Sequence, residues 1–319
     1  MIFIRNVAFL LTFLFLAVTG ISAQGKVEGN ALRIKGGLFY GGVKTDFEKR
    51  NQTSDIFSSA EVNQDWKNHR DLDLINGLGV DYFHSLNSGV LSNFFIGIQL
   101  NRYGRSYQWD SFYPFGIGKK EGDYSLNYTD INAGVTLAVA PGFRILPKYV
   151  IRSLSQQLDG QYFGLGNPSK YGSQTRTAGG LSGLLGVGFE YDISESITLF
   201  ADLLVYGPFL FRSKGEYNNE KFEIGNGFAT FSTANGGYTF SSQKISLGGS
   251  FVLMPGLRLN ASLEQERLHL KAESPFALSV TTVGFNTLGT LGEYVSATSE
   301  DRIKISGIKM GVSYDLDFK

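Results

Sequence analysis

Polar and apolar residues alternate along most of this chain with a period of two. Between Ala31 and Val43 the even positions Leu32, Ile34, Leu38 and Tyr40 are apolar, while Arg33 and Lys35 occupy the opposite face. From Asp71 to Phe83, Leu72, Leu74, Leu78, Val80 and Tyr82 oppose Asp71, Asp73 and Asp81. The C-terminal stretch sets Ile308, Met310, Val312, Tyr314, Leu316 and Phe318 against Lys309, Ser313, Asp315 and Asp317. Successive side chains on a strand point to opposite sides, so this pattern predicts strands with one greasy and one wet face. Similar segments near 93–103, 126–140, 143–153, 179–191, 197–209, 241–253 and 257–271 bring the expected total to about ten. The last segment, from about Arg302, changes phase around Ser306 and Gly307, which predicts a bulge.

The connections alternate in length. Short ones fall at His84–Gly89, Ala140–Gly142, Asp192–Ser196 and Met254–Gly256, and long polar ones at roughly 44–69, 104–123, 154–178, 211–240 and 273–301. Short periplasmic turns, long extracellular loops and an even strand count are the pattern of an outer-membrane barrel. Each segment supplies the about 9–11 residues that a tilted spanning strand needs. The sheet must close, because an open edge would strand backbone N–H and C=O groups in hydrocarbon. The fold expected is therefore all-β: a single closed antiparallel transmembrane β-barrel. Interfacial aromatic girdles are expected at Tyr82, Phe94, Phe143, Tyr191, Phe251 and Phe318 near the short turns, and at Tyr103, Tyr128, Phe209 and Phe240 near the loops.

Composition agrees, with 40 Gly, 26 Phe and 16 Tyr against 7 Pro in 319 residues. Lys plus Arg (29) equals Asp plus Glu (29), so no net field draws the chain to nucleic acid. There is no cysteine, which excludes disulfides, thiolate catalysis and lipid attachment at an N-terminal cysteine. Residues 1–23 read as a cleaved signal peptide: Arg5, an apolar run from Val7 to Val18, then Ile21-Ser22-Ala23 before Gln24. The barrel would occupy 24–319, and no later apolar run nears the roughly 20 residues of a spanning helix.

With the greasy face turned to lipid, the wet face becomes the lumen lining. It carries Arg33, Lys35, Arg144, Lys148, Arg152, Lys244, Arg258, Lys304 and Lys309 against Asp81, Asp130, Glu190, Asp202, Glu264, Glu266 and Asp315, with Asp71 and Asp73 at the mouth. A barrel of about ten strands has little more room than its own side chains fill, so these charges predict crosslinked ion pairs in a narrow lumen. Outer-membrane lipid is the expected surrounding partner.

The chain end resembles the insertion signal of bacterial barrels, an alternating strand ending in an aromatic. Tyr314, Leu316 and Phe318 match it, with Lys319 as a departure, and the resemblance implies the barrel-insertion machinery as a partner. The architecture resembles opacity-type adhesin barrels. The segment Asn63-Gln64-Asp65-Trp66 resembles the Asp-Gln-Asp-Trp segment of the omptin surface proteases, with Asn63 in place of the first aspartate. That resemblance would make Asp65 a catalytic carboxylate, with His69, Asp71 and Asp73 nearby to help activate water. The other histidines, His84 in an expected periplasmic turn and His269 on the lipid-facing parity, share no locus with it, so neither metal nor cofactor is expected. In the expected loop 104–123, Tyr107, Trp109, Phe112, Tyr113 and Phe115 lie beside Lys119 and Lys120, a composition suited to an extracellular ligand or sugar. The leading expectation is a non-enzymatic surface barrel for binding or adhesion. The alternatives are a small-solute channel and an omptin-like protease.

Overall fold

The computed structural model describes residues 30–45, 76–113, 116–164, 170–207, 214–224, 229–233, 236–272, 278–280 and 300–318. These hold thirteen strands and no helix. Ten form the wall: β1 (Asn30–Thr45), β2 (Asn76–Ser88), β3 (Leu91–Tyr113), β4 (Gly116–Ala140), β5 (Phe143–Gly164), β6 (Lys170–Ser194), β7 (Ile197–Tyr206), β10 (Gly236–Met254), β11 (Leu257–Ala272) and β13 (Glu300–Phe318). Each pairs antiparallel with its neighbours, and β13 returns to β1 over the full length from Asn30↔Phe318 to Thr45↔Ile303. The barrel is closed. Three shorter strands, β8 (Lys214–Ile224), β9 (Ala229–Thr233) and β12 (Leu278–Val280), extend the sheet on the long-connection side, with β8 pairing to both β6 and β10.

The register fixes the barrel's dimensions. Directly opposed residues run Leu32, Tyr82, Ile96, Ala133, Tyr149, Leu185, Val205, Gln243, Arg267, Lys304 and back to Lys44. One circuit therefore climbs twelve residues on β1, from Leu32 to Lys44. With ordinary strand spacing and rise, that shear over ten strands tilts them by about 40°. The four short connections are two-residue turns at 89–90, 141–142, 195–196 and 255–256. Gly142 and Gly256 adopt φ of 71° and 81°, the left-handed conformation such hairpins require.

The outer wall carries a continuous apolar belt. Ile34, Leu38, Val80, Ile96, Ile98, Leu100, Ile131, Leu185, Leu203, Leu263, Met310 and Val312 are all exposed on it. In water a belt of this size would be unsustainable. On a closed barrel it is the surface that hydrocarbon covers, and this chain is an outer-membrane β-barrel.

Above the belt the chemistry of the two faces exchanges while the parity does not. On β13, Ile308, Met310 and Val312 face outward, and so do Lys304 and Arg302, both exposed; Ile303 and Ile305 face inward and are buried. The expected bulge at Ser306 and Gly307 is absent, since both ladders of β13 run through it without a shift. What reads as a change of phase is the level at which hydrocarbon gives way to water. Lys304, expected in the lumen, therefore lies on the outer wall. Tyr103, Tyr128 and Phe240, expected in an extracellular girdle, point inward and are buried. They belong to an apolar cluster with Val43, Tyr124, Leu126, Leu154, Ala178, Leu268, Leu270, Ile303 and Ile305 that fills the barrel above the belt. At the other end Tyr82, Phe94, Phe251 and Phe318 are exposed as a girdle requires, whereas Tyr191 is buried; Phe209 lies outside the described residues.

Two further expectations change. The regions 104–123 and 154–178, read as loops, are mostly strand, because β3 with β4 and β5 with β6 continue well beyond the belt. His84, expected in a turn, lies in β2 opposite Phe94 and stacks against Tyr82.

Candidate functional site

A tilted ten-stranded barrel leaves an interior about as wide as the side chains pointing into it, so inward charges on neighbouring strands are brought within contact distance. Three tiers of ion pairs result. At the short-turn end, Arg33 grips Asp315 through Nε and Nη2 at 2.6 and 3.1 Å, and Arg258 approaches the same carboxylate at 3.5 Å. Across the barrel Arg144 donates to Glu190 at 2.9 Å and makes a fork of two 2.8 Å bonds to Asp192. Asp192 also accepts a 2.7 Å bond from the Thr198 hydroxyl. Around these groups a cavity of about 670 Å³ opens toward the short turns, with Phe83, Asn93, Ser250 and Asn260 in its wall.

The middle tier pairs lysines with carboxylates. Lys35 reaches Asp81 at 2.7 Å, Lys148 reaches Asp202 at 2.7 Å, and Glu264 lies 3.0 Å from Lys244 and 4.0 Å from Lys309. A small cavity of about 120 Å³ remains among these groups.

The upper tier centres on Arg152, whose side chain is fully buried. Its Nε and Nη2 fork onto Asp130 at 2.7 and 2.8 Å, while Nη1 donates to the Ser242 hydroxyl at 3.0 Å and to Glu266. Its guanidinium carbon sits 3.9 Å from the centre of the Tyr128 ring. The Tyr128 hydroxyl donates to Glu266 at 2.6 Å and lies 3.0 Å from that of Tyr103. Four strands, β4, β5, β10 and β11, meet on this one guanidinium. Removing a single partner of such a buried group typically costs about 3–5 kcal/mol, because the remaining charge is left uncompensated.

Directly above Arg152 lies the apolar cluster, with Tyr103 and Tyr128 belonging to both. The lumen is thus wet at the short-turn end, ion-paired through the middle, and apolar at the top. Among the described residues, each charge read as inward from alternation takes part in one of the three tiers, except Lys304. Sequence reading missed Asp192, assigned to a turn although it shares Glu190's parity. It also missed Ser242 and the two tyrosines, which carry no charge to betray an inward face.

Tyr107, Trp109, Phe112 and Tyr113 lie in β3, and Phe115 lies outside the described residues. Register sets Trp109 opposite Lys120, and Lys120 opposite Tyr162, so these three share one cross-strand row. Asp65, His69, Asp71 and Asp73 lie outside the described residues. His269 pairs in register with Ser241 and Arg302. Tyr314, Leu316 and Phe318 form the exposed outer face of the last strand.

No family model matches the chain, and none of the curated proteins is similar to it in sequence. Among solved structures it is similar to the outer-membrane protease OmpT of Escherichia coli, with 8% identity over 90% of this chain and 94% of that one and a TM-score of 0.43. It is also similar to the toluene transporter TodX of Pseudomonas putida (9% identity, 92% and 90% covered, TM-score 0.35). A third is the outer membrane protein OprG of Pseudomonas aeruginosa (10% identity, 94% and 99% covered, TM-score 0.29). Identities this low carry no information about activity.

Proposed function

We propose that this chain is a non-conducting surface barrel that displays its extracellular sheet for binding. The observation that carries this reading is a cluster of buried apolar side chains seated on the Arg152 network. An ion entering from the short-turn end would have to shed its water against Leu126, Phe240 and Leu268, which offer it no polar partner. Binding falls instead to the strands that rise above the belt. Register puts Trp109, Lys120 and Tyr162 opposite one another across β3, β4 and β5, and two aromatic residues with a cationic one are residue types that suit recognition of a sugar. Such a protein would work as an adhesin or surface receptor.

The cavity at the short-turn end favours a second reading, a narrow channel for small solutes, and one measurement separates the two. Reconstituted in a planar bilayer, the protein is expected to give no single-channel steps in molar potassium chloride. Steady unitary conductance would replace the display reading with the channel reading. The binding half is tested on a panel of immobilised surface glycans. Retention by the wild type, lost in Trp109→Ala at unchanged folding, is the expected result; equal retention by both would sink the assignment to that row.

A further inference from the structure

We propose that the outer wall carries a site for the phosphorylated headgroup of an outer-leaflet lipid, built around Arg102. On β3 the outward residues Phe94, Ile96, Ile98 and Leu100 are exposed and apolar, and the next outward residue is Arg102. The next two strands make the same change at this margin: Ile131 gives way to Thr129 and Asn127 on β4, and Ile151 to Ser153 on β5. A cavity of about 330 Å³ lies at this margin, lined by Leu78 and Leu100 and by Arg102, Asn127, Thr129 and Ser153.

Its chemistry is that of an amphiphile's neck. The two leucines, 45% and 47% exposed, are the last apolar residues of the belt on their strands and offer acyl chains a continuous wall below the cavity. Above them a guanidinium stands with an amide and hydroxyl donors around it. No carboxylate lines the cavity, and among the described residues no acidic side chain pairs with Arg102. A planar fork of N–H donors with hydroxyls at its flanks matches the several oxygens of a phosphate better than it matches a single carboxylate. A cation at this level also faces the anionic surface of the membrane, where screening by salt is reduced by the apolar wall beneath it.

The same margin offers an internal control. Arg267 on β11 and Lys304 on β13 stand directly opposite each other, exposed on the outer wall, and neither lines the Arg102 cavity. They present two positive charges without a built site.

The test uses the full-length barrel, delipidated in neutral detergent and titrated with a diphosphorylated glucosamine lipid, with binding read by native mass spectrometry. The wild type is expected to hold one such lipid. Arg102→Gln should weaken it about tenfold, the usual loss for one charge-assisted contact, and Arg102→Lys should fall between. The double variant Arg267→Gln with Lys304→Gln should bind within about twofold of the wild type. Neither the dephosphorylated lipid nor inorganic phosphate should occupy the site. Folding of every variant is read by its heat-dependent electrophoretic mobility. The proposal is overturned if folded Arg102→Gln binds as the wild type does. It is overturned equally if the double variant loses as much affinity, since diffuse charge would then suffice, or if inorganic phosphate binds as well as the lipid.

Discussion

Glycine has a use here that composition alone does not reveal. Several glycines face the lumen and make room for a large neighbour. A Cβ on Gly41 would meet the Ser306 carbonyl oxygen at 2.4 Å, the Gly307 Cα at 2.6 Å and the Phe39 ring at 2.8 Å. Gly41 and Gly307 oppose one another in register, so the Phe39 ring lies over a gap in both strands. Phe95 lies over Gly134 and Phe200 over Gly248 in the same way, while Gly97 makes space for the Asp81 carboxylate. The narrow lumen imposes this: where a ring or an ion pair fills the cross-section, the adjacent strand has no volume left for a side chain. Gly41→Ala is therefore expected to destabilise the barrel by about 1–3 kcal/mol, because two of its three clashes are with backbone that cannot swing aside. Urea unfolding followed by tryptophan fluorescence checks it. A midpoint equal to that of the wild type would mean the ring and the strand yield without cost.

At the scale of the strand, alternation gives parity but not the level at which the two faces exchange chemistry. Lys309 and Asp315 are legible as inward because they alternate with Ile308, Val312 and Leu316 inside the belt. Two turns of the pleat higher the rule reverses, so Lys304 looks inward and Ile305 outward when the same criterion is applied. The ladders show the opposite, with Lys304 exposed and Ile305 buried. The same reversal hides Tyr103 and Tyr128, and it explains why 104–123 reads as a loop: a strand outside hydrocarbon has no greasy outer face to announce it. The chain lacks cysteine, so single replacements test this directly. In intact cells a membrane-impermeant maleimide should label Lys304→Cys quickly and leave Ile305→Cys unlabelled until denaturant is added. A bulge at Ser306 would exchange the two results.

For the whole molecule, the proposed display function would place stability and binding in separate parts of the chain. The ion-pair tiers, the apolar cluster and the belt are built from residues below Gly104 on β3 and beyond Asp123 on β4. The hairpin between those limits continues the sheet outward, with register carried on to Tyr113↔Gly116. Replacing residues 106–123 with a two-residue Asn-Gly turn should leave the barrel foldable, since Arg105 and Tyr124 already face each other across the ladder. The shorter closure lowers the entropic cost of pairing β3 with β4, which offsets part of the lost pairing of β4 with the top of β5. Thermal unfolding in detergent should shift by only a few degrees, while retention on the glycan panel disappears. Loss of both together would mean the hairpin is part of the folding core, and the separation of scaffold from display would have to be abandoned.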